Sequence, residues 1–333
     1  MLSESNEKSR LKALMIVNPI SGTLSKTGLE ERVRASLSPA GIDVDCVHTQ
    51  GAGDGFRLAC EAVEKNYDAV IAAGGDGTVN EIASALRATP VALAIIPLGS
   101  GNGLVRHLYG SIDIDNALRI IADRHIEPCD YGTVNDIPFF CTFGLGFDAL
   151  VSKDFSKMPS RGLTSYIRGV LKEYVRYKSS DYEIFTAGRR IKVKAFLVAV
   201  CNANQYGNNA FIAPSASVRD GMLDIVVIHS GNPLTRALAG VDLFTGRINR
   251  NLLIQTMRVR NAMIRRSSGA AHNDGDPCEM PETLRIECHP GQLRLFTAPM
   301  KKRFRPFLTP ITGLHSDNIY RLKELTRRIF HKK

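Results

Sequence analysis

The sequence has seven cysteines, at 46, 60, 129, 141, 201, 278 and 288, but no Cys-x-x-Cys pair. An odd count without a framework spacing excludes a disulfide-stapled scaffold and predicts reduced thiols in a cytoplasmic setting. Long hydrophobic runs are missing too. The longest clean one is Val91–Leu98, far short of the roughly 20 residues of a spanning helix. The start, Met1 to Arg10, is polar and has no apolar core, so no secretory signal is expected. The eight histidines are scattered without metal-ligand spacing, which argues against a zinc site. Gly-x-Ser-x-Gly is absent, so a hydrolase nucleophile elbow is not supported. Two common nucleotide fingerprints, G-x-x-x-x-G-K-[ST] and G-x-G-x-x-G, are absent as well. No internal repeat or low-complexity segment occurs.

What is present fits two ordinary globular domains. The chain has 333 residues, 44% hydrophobic and 23% charged, enough for two cores. The net charge of +10 is concentrated at one end. Residues 301–333 hold ten Lys and Arg against Asp317 and Glu324. The remainder is nearly neutral, so a nucleic-acid-binding body is not indicated. The last stretch, Asp317–Phe330, places Ile319, Leu322, Leu325 and Ile329 on one helical stripe.

The first third alternates strand-like and helix-like segments. Strands are expected at Lys12–Val17, Ile42–His48, Tyr67–Ala73 and Val91–Pro97, with helices at Leu29–Leu37, Phe56–Lys65 and Thr78–Arg87. Such alternation predicts a parallel sheet covered by helices. Ligands bind such sheets at the carboxyl ends of the strands, and three glycine-rich turns fall there. After about residue 125 strand-like runs dominate: Thr133–Phe143, Tyr182–Phe185, Ile191–Val200, Leu223–Ile228, Gln255–Ile264, Leu284–Cys288 and Leu293–Phe296. Helical stretches near Leu163–Lys178 and Leu234–Leu243 interrupt them. This predicts a mostly antiparallel β domain.

Gly74-Gly75-Asp76-Gly77-Thr78 follows an expected strand and opens an expected helix. Glycines let the backbone approach a ligand without a Cβ in the way. The helix N-terminus offers unpaired N–H groups to phosphate. Asp76 suits a Mg²⁺ or a hydroxyl proton rather than phosphate itself. Thr78 can cap the helix or bond a phosphate oxygen. The plainer reading is a tight turn with a capping threonine, but the central aspartate is foreign to it.

The stretch from Gly74 to Glu81 resembles the loop of diacylglycerol and sphingosine kinases, a set whose loop also occurs in NAD kinases and phosphofructokinases. Five further stretches resemble the same lipid-kinase family, in order along the chain. They are Asn18-Pro19 with Gly22, Pro97-Leu98-Gly99-Ser100-Gly101-Asn102, Gly144–Ala149, Ala213–Ala216 with Asp220–Asp224, and Asn273-Asp274-Gly275-Asp276. The resemblance implies an N-terminal α/β nucleotide-binding domain with a parallel sheet, NAD kinase/phosphofructokinase-like, and a C-terminal antiparallel β-sandwich, with the active site in the cleft between them. The boundaries expected are 1–128, 129–298 for the lipid-substrate domain, and a basic segment 299–333 that returns to the first domain.

It further implies that Asn18, Gly22, Gly74, Gly75, Asp76, Gly77, Thr78, Gly99, Ser100, Gly101 and Asn102 hold ATP. A Mg²⁺ site is implied at Asp220, with Ser217 and Met222 contributing backbone oxygens, and a substrate-facing role for Asp148. Asp274, Asp276 and Asp76 are the candidate catalytic carboxylates, with Asp274 the first choice of base and Asp76 the second. Asp220 also reads as a plain hairpin residue, Asp148 as a satisfied buried acid, and the Asp274–Asp276 stretch as a turn. Asp276 departs from the family's glutamate, and Ser100 and Gly103 stand where bacterial diacylglycerol kinases often have Thr and Asp. The Gly-Ser-Gly-Asn form is more like sphingosine and ceramide kinases.

The function expected is therefore an ATP- and Mg²⁺-dependent kinase of a lipid hydroxyl, on diacylglycerol, a sphingoid base or a related lipid. The rivals are an NAD kinase and a non-catalytic lipid-binding protein on the same fold. A spanning segment is not expected, so the basic tail is expected to dock the protein peripherally on the anionic inner membrane surface. A homodimer is entertained among its partnerships, and nucleic acid is not.

Overall fold

The computed structural model describes residues 10–22, 27–99, 101–156, 174, 177–245, 248, 251–267 and 269–298. Ser100, most of the helix expected at Leu163–Lys178, and the basic segment 299–333 lie outside the described residues. Contacts divide the chain into two compact units. The first runs through Cys129 and takes in the segment from Gly291; the second is Asp130–Pro290. Gly291 lies inside the stretch expected to form the second domain.

The first unit begins β1 (Leu11–Val17), α1 (Leu29–Leu37), β2 (Ile42–His48), α2 (Asp54–Glu64), β3 (Ala69–Gly74), α3 (Asp76–Leu86) and β4 (Ala92–Pro97). Strand order is β2-β1-β3-β4 with every pairing parallel. β3 and β4 are buried along their whole length. That burial explains their unbroken apolar sequence, since a parallel sheet covered on both faces has no solvent side. α1 turns Leu29, Val33 and Leu37 inward at helical spacing. Two short helices that periodicity did not single out follow: α4 (Gly103–Tyr109) and α5 (Ile114–Ala122). α5 is opened by Asp113, whose side chain accepts the Asp115 N–H.

β5 (Ile126–Val134) leads into the second unit, which holds β6 (Ile137–Phe139), β7 (Thr142–Gly146), α6 (Phe147–Ser156), β8 (Ser180–Thr186), β9 (Arg189–Cys201), β10 (Leu223–His229), α7 (Pro233–Thr245), β11 (Ile254–Val259), β12 (Asn261–Arg266), β13 (Gly269–Asn273) and β14 (Asp276–Met280). β15 (Thr283–Phe296) carries the chain back, and Leu295 pairs in parallel with Leu93 of β4. Pairings β6 with β5, β7 with β9 and β13, β8 with β9 and β12, β10 with β9 and β11, β12 with β15, and β13 with β14 are antiparallel. β9 shows how sequence sets its two halves. Arg189–Lys194 alternates charged and apolar residues and pairs with β8 alone, whereas Ala195–Cys201 is continuously apolar, buried, and flanked by β7 and β10.

Several expected strands divide or join. The run Thr133–Phe143 breaks because Asn135 and Asp136 both take positive φ and form a hairpin turn. Gln255–Ile264 splits at Arg260 into β11 and β12. Leu284–Cys288 and Leu293–Phe296 join into one strand, since Gly291 at φ 65° passes the chain through without a hairpin. β13 and β14 carry Gly, Ala, Asn and Pro in place of a β-branched run, so they had no strand signal of their own.

Candidate functional site

In the first unit the chain leaves β1, β3 and β4 at one edge of the sheet, and the three turns lock together. The Asn18 amide donates to Thr78 Oγ1 at 2.9 Å. The Gly75 N–H points to Ser21 Oγ at 3.3 Å. Gly74 O accepts the Leu98 and Gly99 N–H groups at 2.9 and 3.3 Å. Such close backbone contact demands glycine. A Cβ on Gly22, at φ 64°, would lie 1.8 Å from Leu98 O, and one on Gly99 would lie 2.6 Å from Gly75 Cα. The glycines are therefore what lets loop fit against loop.

Asp76 joins the same clasp. Its carboxylate accepts the Asn102 N–H at 2.8 Å and the Gly103 N–H at 3.0 Å, at the start of α4. A carboxylate at a helix N-terminus meets both the unpaired amides and the positive end of the dipole. Asn102, at φ 51°, returns its side-chain amide to Gly99 O. Thr78 is buried beside Asn18, and Gly75 rather than Thr78 is the N-cap of α3. Glu81 accepts the Gly53 and Gly55 N–H groups at 2.8 and 2.9 Å and so ties α3 to the start of α2.

One cation at this edge was not singled out from sequence. Arg106 donates to Gly101 O at 3.0 Å. Burial draws its guanidinium below the ordinary value, and the charge of Asp76 opposes that shift. The only sequence signal was its place one helical turn after a glycine loop.

In the second unit the Asn273–Asp276 stretch forms the hairpin turn between β13 and β14. Asp274 takes φ 49° and Gly275 φ 95°. The Asp274 carboxylate accepts three backbone N–H groups, from Phe140 at 2.9 Å, Cys141 at 2.8 Å and Thr142 at 2.9 Å. The first-choice base thus has both oxygens engaged in anchoring the chain between β6 and β7. Asp276, next along, is exposed.

Asp148 is largely buried and hydrogen-bonded inside the second unit. One oxygen accepts the Ala149 N–H at 2.8 Å, and the other meets Tyr206 Oη at 2.9 Å and His272 Nε2 at 3.2 Å. The satisfied-acid reading fits this geometry better than the substrate-facing one.

The residues of the expected magnesium set lie between β9 and β10. Asp220 pairs with the Arg258 guanidinium and also accepts the Met222 N–H at 3.1 Å. Ser217 Oγ accepts the Arg219 N–H. Among the described residues no group of three or more His, Cys, Asp or Glu is placed to hold a metal. Arg258 is the counter-ion of Asp220 in this structure, and the Mg²⁺ set implied above is that carboxylate with the backbone oxygens of Ser217 and Met222. Asp224, close by, is buried with Oδ1 lacking a hydrogen-bond partner. Burial pushes its pKa up to about 6, Arg258 works against that, and Asp220 adds to it.

Among the described residues no helix is long and apolar enough to cross a membrane. All seven cysteines are free thiols.

Comparison with known proteins adds to this geometry. The family described as diacylglycerol kinase catalytic domain matches residues 12–134. The family described as YegS C-terminal NAD kinase beta sandwich-like domain matches residues 142–297. A "Probable lipid kinase YegS-like" of Pseudomonas fluorescens is 30% identical over 297 residues, 86% of this chain and 95% of that protein. A "Diacylglycerol kinase" of Staphylococcus saprophyticus is 31% identical over 229 residues, 67% of this chain and 74% of that one. A solved structure of a diacylglycerol kinase from Bacillus anthracis is 24% identical with a TM-score of 0.69. It covers 88% of this chain and 99% of that chain, and a second structure from the same organism is 25% identical with a TM-score of 0.72. The mixed sheet with its parallel part, and the second unit as a β-sandwich, are thus the fold of these kinases.

Proposed function

The chain belongs to the lipid kinases built on a diacylglycerol kinase catalytic domain, and from that premise we propose that it transfers the γ-phosphate of ATP to a lipid hydroxyl. The observation that carries the reading is the clasp of the Asn18, Gly74–Thr78 and Gly99–Asn102 turns at one sheet edge. Their glycines and the opening of α3 suit a polyphosphate, and the Arg106 cation adds to the charge match.

Transfer of this kind works through placement and charge. The lipid oxygen bonds to the γ-phosphorus, the bond from that phosphorus to the ADP oxygen breaks, and the hydroxyl proton passes to a carboxylate. Asp274 is part-buried and anchors the turn, whereas Asp276 beside it is exposed to an incoming substrate, so we assign the proton to Asp276 and give Asp274 the task of holding the turn. General-base help of this type contributes about 10²–10⁴ in rate. Asp76 or Asp276 would help to hold a Mg²⁺ on the triphosphate, where the ion would neutralise the transferring charge.

The relatives reported above are named for lipid and diacylglycerol kinases, which favours a lipid acceptor over NAD. A diacylglycerol, a sphingoid base or a related lipid fits the reading. Basic residues 301–333 would bring the protein to an anionic bilayer, each Lys or Arg near the surface contributing about 1 kcal/mol.

The test is a transfer assay with labelled ATP, Mg²⁺ and mixed micelles of diacylglycerol, sphingosine, ceramide, monoacylglycerol or phosphatidylglycerol. One or more labelled lipids are expected. Label on NAD and on no lipid would replace the reading with the NAD kinase one, and no label anywhere would favour a binding protein. Sedimentation with anionic vesicles at low salt, lost at high salt and weakened when Lys301, Lys302, Arg303 and Arg305 become Gln, is the expected result for the tail.

A further inference from the structure

His272 precedes the Asp274–Asp276 turn by two residues and is buried, with 2% of its surface exposed. We propose that it is a positioning residue, a rigid strut that transmits the position of α6 to this turn. The inference rests on the lipid-kinase reading for its catalytic consequence, but its contacts do not.

Both ring nitrogens are engaged, and the pattern assigns the tautomer. Nδ1 lies 3.3 Å from the Gly275 nitrogen. That nitrogen can only donate, so Nδ1 must accept and carries no proton. The ring proton is then on Nε2, which faces Asp148 Oδ2 at 3.2 Å. The same oxygen accepts from Tyr206 Oη at 2.9 Å, and the other takes the Ala149 N–H at 2.8 Å. The Tyr206 ring stands edge-on to the imidazole, 5.8 Å between centroids. A carboxylate behind an imidazole orients the ring and selects its tautomer.

α6 grips Gly275 from both sides. Ser152 Oγ donates to Gly275 O at 2.6 Å, while His272, braced on Asp148 of the same helix, takes the Gly275 N–H. Space for the strut comes from Gly144, paired with His272 across β7 and β13. A Cβ there would sit 2.1 Å from both His272 Nε2 and Asp148 Oδ2, so any other residue would displace the pair. The turn needs such restraint, because Asp274 holds a left-handed conformation that non-glycine residues seldom adopt. With the hairpin fixed at Gly275, the carboxylates on either side keep their directions.

Three arms on the full-length protein test this. Long-range ¹⁵N–¹H NMR of the imidazoles is expected to show His272 with a bare Nδ1 and a protonated Nε2, and the Gly275 amide protected from exchange. His272→Leu is expected to lower kcat by tenfold or more with the ATP KM within twofold, and to deprotect Gly275. His272→Gln, which can accept and donate as the imidazole does, is expected to recover most of kcat. A proton on Nδ1, an exchange-labile Gly275 in the wild type, or wild-type kcat in His272→Leu would overturn the proposal. So would equal losses in the Leu and Gln variants. A wild type that labels no lipid would sink the kinase reading alone, and the tautomer and the Gly275 exchange would then decide the strut.

Discussion

The two candidate regions are built in opposite ways. At the sheet edge of the first unit, three short loops each hold their functional groups within a few consecutive residues, and backbone amides and glycines do the holding. In the second unit the candidate groups meet across long stretches of chain. Asp274 reaches Phe140, Cys141 and Thr142, more than 130 residues away, and His272 reaches Asp148 124 residues away. A local site is written as a motif, whereas an assembled one is written as separate residues whose partners only folding brings near.

The comparison can be broken most sharply at the turn between β13 and β14. Asp276→Ala is expected to lower turnover by about 10²–10⁴ while ATP affinity holds, and Asp276→Glu to stay within about tenfold of wild type. Steady-state kinetics with the accepted lipid decides it, and equal rates in all three forms would remove Asp276 from the chemistry.

Asp274→Asn separates anchoring from catalysis. The amide that replaces one oxygen is a donor facing a backbone donor, so about 2 kcal/mol of stability should be lost through an unmet N–H. Denaturant unfolding measures that loss. A variant as stable as wild type but inactive would return Asp274 to the role of base.

The local site is sharpened by Gly99→Val. Its side chain would meet Gly75 Cα, so ATP affinity should fall at least tenfold, about 1.4 kcal/mol, with circular dichroism unchanged. An unaltered affinity by calorimetry would place the nucleotide elsewhere.

The smallest effect concerns Asp224. Its pKa is raised by burial to about 6. The stability it contributes as a neutral acid is present below about pH 4 and lost as pH rises through 6. Asp224→Asn should therefore leave stability unchanged near pH 4 and add on the order of 1 kcal/mol at pH 7.5. A variant destabilised at both pH values would show that the carboxylate is needed in charged form.

Sequence alone found the parallel strands and their loops because each is encoded within one short window. Leu29–Leu37 and Ile42–His48 are observed with the bounds expected, since helical spacing and strand alternation are local patterns. It gave no account of β13 and β14, whose Gly, Ala and Pro become strands by pairing with β7 and with each other. It joined residues on either side of the Asn135-Asp136 turn and divided β15 at Gly291, because only pairing partners show whether a turn residue reverses the chain.

The amino-acid order by itself determined the family, the glycine-rich loops and the candidate carboxylates, because backbone freedom and charge belong to single residues and their neighbours. Only the tertiary structure decided what each carboxylate touches. Asp76 clasps a helix start, Asp274 anchors a strand connection, Asp148 braces His272, and Asp220 meets Arg258. The physical reason is that a carboxylate accepts equally well from an amide, a hydroxyl, an imidazole or a guanidinium. Which donor it meets is set by packing between residues far apart in the chain.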